Sequence, residues 1–192
     1  AYPCMNEKQL AIGETTIVGR MELRNEGGIF YIEELEKIAL QRCGTAREAI
    51  ALIGSLAEEY GYGDYAECIT IADPKEVWQL EISGSGKGKP SAIWCAARIP
   101  DDHVGVSANY PRISTIDFNN SDLFMFSTNL QKVAKDLGYW DGEEPLKFWK
   151  VISSYKKSFG NREYYILSTL APSLKLSFDT TEIPFSVKPE KK

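Results

Sequence analysis

Between residues 31 and 60, apolar side chains recur at helical spacing twice in succession, with a sharp break between the two runs. Ile32, Leu35, Ile38, Ala39 and Cys43 share one face, so 31–43 reads as an amphipathic helix that Gly44 stops. Thr45-Ala-Arg-Glu48 then has the form of a capping box, in which hydroxyl and carboxylate satisfy the first free N–H groups of a new helix. Behind it Ala46, Ala49, Ile50, Ile53, Leu56, Ala57 and Tyr60 make one apolar face, and Gly61 ends the helix. Two helices joined by so short a turn run antiparallel, and their common apolar face requires a sheet to lie on.

The remaining patterns supply that sheet. Residues 9–18 read as a strand, and Gly19 with Asn25-Glu-Gly-Gly28 breaks regular structure after it. Strands are expected at 68–72, 76–82, 92–99 and 103–108, the first two separated by Asp73-Pro74 and the last two by Pro100-Asp101-Asp102. Short connections between them predict an antiparallel meander. Ser83-Gly-Ser-Gly-Lys-Gly-Lys-Pro90 lacks the Lys-Ser/Thr ending and following helix of a phosphate loop, and reads as a flexible connection. Helical patterns return at 128–137, 146–155 and 162–170, and the Pro- and Lys-rich stretch 184–192 is expected to fray. The fold class is α+β, with 1–192 forming a single domain and no internal repeat.

Charge and composition exclude several partners. The net charge is −5, and the only basic cluster is Lys188, Lys191 and Lys192, so no phosphate-binding face is predicted and nucleic acid is not a partner. No apolar run reaches the roughly 20 residues of a membrane-spanning helix, and the first residues lack the basic and apolar regions of a signal peptide. Cys4, Cys43, Cys68 and Cys95 show no CxxC spacing, and His103 is the single histidine. No metal site and no cofactor are therefore expected. Cys43, Cys68 and Cys95 sit among apolar neighbours and read as buried free thiols, which points to a reducing, cytoplasmic setting.

Few residues stand out chemically. A histidine-dependent triad would have to use His103, but no serine elbow partners it, so a structural or exposed His103 is the reading preferred. Asp101 and Asp102 are adjacent; on a strand they would face opposite sides, and on a turn either could reach a ligand ammonium. Asn109 ends a predicted strand in Val106-Ser-Ala-Asn-Tyr-Pro-Arg112, where an amide could donate to an oxyanion or simply form a turn.

Several separate blocks, in order, resemble the C69 (formerly U34) dipeptidase family. They are Met5-Asn-Glu-Lys-Gln-Leu-Ala-Ile-Gly-Glu-Thr-Thr16, Leu40 to Ile50, Ile71-Ala-Asp-Pro-Lys-Glu-Val-Trp78, and Ala97-Arg-Ile-Pro-Asp-Asp-His103 through Ser107-Ala-Asn-Tyr-Pro-Arg-Ile113. The resemblance implies the four-layer αββα sandwich of N-terminal-nucleophile hydrolases, an architecture shared with penicillin V acylases and bile salt hydrolases. It implies hydrolysis of small peptides by a cysteine at the mature N-terminus whose own α-amine is the base, which removes the need for a catalytic histidine. Asn109 matches the family's oxyanion-hole asparagine, and Thr15 and Thr16 match the opposite wall. Glu14, Arg98, Asp101, Asp102 and Arg112 become candidate contacts to substrate.

Family chains begin with Cys-Thr and a strand pair upstream of the Met-Asn-Glu block, whereas Ala1 leads here and Cys4 directly precedes it. The expectation is therefore a central fragment, inactive alone, that lacks the nucleophile and the N-terminal strands. A sandwich so truncated would expose apolar surface and could self-associate. Two other functions remain open: an acylase-like enzyme acting on a non-peptide amide, and a short non-catalytic binding or assembly module.

Overall fold

The computed structural model describes residues 4–190. Its strands are β1 (Ala11–Ile17), β2 (Ala66–Ala72), β3 (Val77–Gly84), β4 (Ala92–Ile99), β5 (Val104–Gly105), β6 (Phe124–Phe126) and β7 (Ser186–Val187). The helices are α1 (Ile32–Arg42), α2 (Ala46–Tyr60), α3 (Leu130–Asp136), α4 (Phe148–Ile152) and α5 (Asn161–Leu170). One antiparallel sheet runs in the order β1-β2-β3-β4-β6, and β5 pairs with β7 separately. The fold is α+β.

The helical hairpin forms where its pattern predicts. The Thr45 hydroxyl accepts the Glu48 N–H at 3.3 Å, and the Glu48 carboxylate takes the N–H groups of Gly44 and Thr45 at 2.9 and 3.1 Å. Asp73, in the β2–β3 turn, accepts the Ala46 N–H at 2.8 Å and so fixes the start of α2 to the sheet. Alternation then sorts the strand side chains. Ile69, Ile71, Trp78, Leu80, Ile82, Trp94 and Ala96 pack against α1 and α2. Gly54 lets α2 come close, since a Cβ there would lie 2.3 Å from the Trp94 indole. On the opposite face Ile17, Cys68, Ile93, Cys95 and Ala97 meet α3, α4 and the segment around Ile113 and Ile116. With both faces covered, β3 and β4 are buried almost continuously.

Four expectations are corrected. Residues 103–108 do not extend the meander: only Val104–Gly105 is strand, and it pairs with Ser186–Val187. The edge of β4 is taken instead by Phe124–Phe126, a three-residue strand too short to show alternation. The stretch 184–190, expected to fray, is tied down by that pairing, by an ion pair of Lys188 with Asp102 at 2.8 Å, and by the Glu190 N–H on the Leu170 carbonyl at 2.8 Å; Lys191 and Lys192 lie outside the described residues. The 83–90 connection is partly pinned, because Asn25 Nδ2 donates to the Gly86 carbonyl at 2.8 Å and the Gly86 N–H donates to the Leu23 carbonyl at 2.9 Å. The helix expected over 146–155 spans only 148–152, ending where Ser153 turns extended.

Candidate active site

β1 lies at the edge of the sheet. Its Ile12 N–H bonds outward, to the Cys4 carbonyl at 3.0 Å, so its even-numbered residues turn their main-chain groups away from β2. Thr16 therefore offers a free carbonyl, and Asn109 Nδ2 donates to it at 2.7 Å. Asn109 has a φ of 67°, the left-handed region that asparagine tolerates better than most residues. Its Oδ1 accepts from Arg162 Nη2 at 2.8 Å, and the same nitrogen reaches the Ala108 carbonyl at 2.8 Å. One residue earlier along the strand, the Thr15 hydroxyl meets that of Ser107 at 2.5 Å. Both candidate walls, Thr15–Thr16 and Asn109, thus come together.

An amide carries two N–H bonds. Thr16 uses one of Asn109's, Arg162 fixes the amide's orientation, and the second N–H is available to a ligand on an exposed side chain. Beside Ala108 and Arg162 lies a cavity of about 470 Å³ lined by Tyr110, Tyr155, Phe159 and Gly160. A second, of about 820 Å³, reaches from Asp101 and His103 past Gln79 and Thr70 to Ser107.

The other candidates engage partners of their own. Arg98 pairs with Asp101 at 2.6 Å and with Glu76 at 3.5 Å, and Arg47 completes that network on Glu76 at 2.8 Å. Asp102 faces Lys188 and, at 3.8 Å, His103, whose Nδ1 is 2.9 Å from the Ser186 hydroxyl. These groups hold the β4–β5 turn and the 184–190 segment. Arg112 is buried, and its terminal nitrogens donate to the Ser158 and Pro184 carbonyls, both at 2.6 Å, so it serves the interior. Glu14 projects to the opposite face from Thr15, towards Glu67.

Sequence reasoning missed Arg162 and Glu81. Arg162 lies 53 residues from Asn109, in a Gly-Asn-Arg-Glu start to α5 whose Glu163 carboxylate caps the Gly160 N–H at 3.0 Å; that cap was the legible signal. Glu81 is a fully buried acid in the middle of an apolar strand, which is itself a signal.

Three of the four thiols are buried. Burial pushes the Cys68 and Cys95 thiols far up, and the neighbouring Glu81 carboxylate adds to it; Cys43 is also raised, first by burial. Such thiols are poor nucleophiles. Cys4 is exposed, but its carbonyl bonds Ile12, four residues along β1 from Thr16, a separation of roughly 13 Å.

Buried acids give the chain a distinctive pH response. Burial, with Glu14 and Glu33 nearby, pushes the Glu36 carboxyl up to about 7. Burial and the contact with Glu14 raise Glu67 further, and burial lifts Glu81 to about 7 against the pull of the Arg112 and Ile113 N–H groups. These groups hold protons in the folded chain that the unfolded chain releases above its ordinary value of 4.5. Stability from them is therefore present at about pH 5 and falls as pH rises through 7. Urea midpoints of the 192-residue chain should be higher at pH 5.5 than at pH 8, and Glu36→Gln with Glu67→Gln should flatten the slope; equal midpoints would count against the buried acids as described.

The model of peptidase family C69 matches residues 2–192. The chain is 27% identical to a probable dipeptidase of Latilactobacillus sakei, over 98% of this chain and 40% of that protein. It is 30% identical to a probable dipeptidase of Salmonella dublin, over 79% of this chain and 34% of that protein. A probable dipeptidase B of Streptococcus pyogenes serotype M1 is 30% identical over 53% of this chain and 19% of its own length. The chain thus spans at most 40% of the length of these relatives. The family match covers nearly the whole chain, and the protein belongs to peptidase family C69.

Proposed function

We propose that this chain forms part of a cysteine-type dipeptidase of the N-terminal-nucleophile hydrolase class, with Asn109 as its oxyanion donor. The observation that carries the reading is the clamped amide, held between the Thr16 carbonyl and Arg162 with one N–H left to donate. The Arg162 cation on Oδ1 draws density from the amide and makes its N–H a stronger donor. In this reading the nucleophile is a cysteine at the mature N-terminus of the whole protein, outside residues 1–192, and its α-amine takes the thiol proton.

Attack on the scissile carbonyl makes a tetrahedral oxyanion, which receives the free Asn109 N–H. Collapse breaks the C–N bond, the α-ammonium protonates the departing amine, and water then hydrolyses the thioester. The names and greater lengths of the relatives support the reading, as does the burial of Cys43, Cys68 and Cys95. The helical hairpin on an antiparallel sheet would be one αβ half of the four-layer sandwich.

The test is hydrolysis of a dipeptide panel by the protein expressed from its entire reading frame, with the 192-residue chain and N-acylated amino acids assayed alongside. Dipeptide cleavage by the former alone, blocked by thiol alkylation, is expected. Cleavage by the 192-residue chain would overturn the placement of the nucleophile, and preference for N-acylated substrates would replace dipeptidase by acylase.

A further inference from the structure

The Asn109 loop rests on a buried carboxylate. Glu81, in the middle of β3, is fully buried, and its Oε1 accepts the main-chain N–H groups of both Arg112 and Ile113, the latter at 3.1 Å. Those two residues close the loop that begins at Ser107 and carries Asn109. We propose that Glu81 is a positioning residue that sets the Asn109 amide by holding this loop from beneath, an inference that rests on the oxyanion reading of Asn109.

A left-handed non-glycine residue such as Asn109 is fixed in one geometry where its surroundings over-determine it. Here the surroundings do so from two directions. Glu81 anchors the loop to the most central strand of the sheet, flanked across the ladder by Cys68 and Cys95. The Arg112 side chain, on the same loop, reaches back through Ser158 and Pro184 to the segments that flank α5. Glu163, buried at the start of α5, caps Gly160 and faces the Arg112 charge. Gly160 itself fits under Tyr110, where a Cβ would lie 2.6 Å from the ring. The loop bearing Asn109 and the helix bearing Arg162 are therefore referenced to one buried Glu81–Arg112–Glu163 group, which fixes the Asn109–Arg162 contact from the inside.

What Glu81 must supply is an acceptor at the correct reach, and its negative charge is secondary. The test compares Glu81→Asp with Glu81→Gln in the protein expressed from its entire reading frame, reading kcat, KM, melting temperature and exchange of the Arg112 and Ile113 amides. Asp keeps the carboxyl group but withdraws the oxygen by one C–C bond, about 1.5 Å. Displacement on that scale should lower kcat by up to about 10²-fold with KM little changed, and both amides should exchange faster. Gln keeps the reach and loses the ability to ionise, so kcat and protection should stay near wild type even if the melting temperature falls.

Wild-type kcat in the Asp variant, or equal loss in both variants, would overturn the proposal. Rapid exchange of the two amides in the wild-type protein would do so without any variant. If the protein cleaves neither dipeptides nor N-acylated amino acids, the oxyanion reading fails, and amide exchange still decides the clamp: faster in Asp than in Gln supports it, no difference overturns it.

Discussion

Asn109→Ala should lower dipeptide turnover by about 10²–10³-fold, the loss found when one oxyanion donor is removed. The side chain is exposed, so no cavity forms and the fold survives. Alanine at a φ of 67° does incur a backbone cost of about 1–2 kcal/mol. Asn109→Gly removes that cost while also lacking the donor. The pair separates chemistry from strain: both variants should lose turnover equally, both lose the bonds to Thr16 and Arg162, and alanine should lower the melting temperature further than glycine. Kinetics and thermal melts on the protein expressed from its entire reading frame decide it. Unchanged turnover in Asn109→Gly would take Asn109 out of the mechanism.

Trp78→Ala should cost about 3–5 kcal/mol, a large share of the roughly 5–15 kcal/mol by which a domain is stable. Trp78 is wholly buried beneath the helical hairpin. Its indole N–H donates to Glu76 at 3.0 Å, and the Arg47 guanidinium lies 4.7 Å above the ring. Truncation thus removes a core side chain and also frees the Glu76 carboxylate that binds Arg47 and Arg98. Urea unfolding of the 192-residue chain should show the lower midpoint, with Trp78→Phe losing less because it keeps much of the volume. A cost under about 1 kcal/mol would mean that the hairpin does not pack on β3 as described.

The helical hairpin and three of the central strands were legible because their signals are local. Thr45 and Glu48 are three residues apart, and the apolar periods of α1, α2, β3 and β4 each lie within one window. β6 was not legible, since Phe124-Met125-Phe126 has no alternation and is recruited by an edge 27 or more positions away. The Val104–Val106–Ala108 alternation misled for the reverse reason: Gly105 packs against Ile99, and the chain leaves the sheet there. At the site, Asn109 and Thr15–Thr16 came from a resemblance in sequence blocks. Their partners did not, because Arg162 and Glu81 are 53 and 31 residues from the atoms they bind. The charged residues around Asp101 drew attention by type, yet they fasten the 184–190 segment to the β4–β5 turn.

The outer side of β1 has a consequence for how the chain behaves in company. An exposed strand edge of β-branched residues such as Thr15, Thr16 and Ile17 invites other chains to anneal along it. Here the Cys4 carbonyl occupies that border at Ile12, and the Asn109 amide occupies it at Thr16. Between these two stops only Glu14 turns main-chain groups outward, and its side chain is acidic. A passing strand finds a landing site one residue long, fenced at both ends and negatively marked. The Asn109–Thr16 contact thereby also shortens the stretch of this edge open to pairing with another strand.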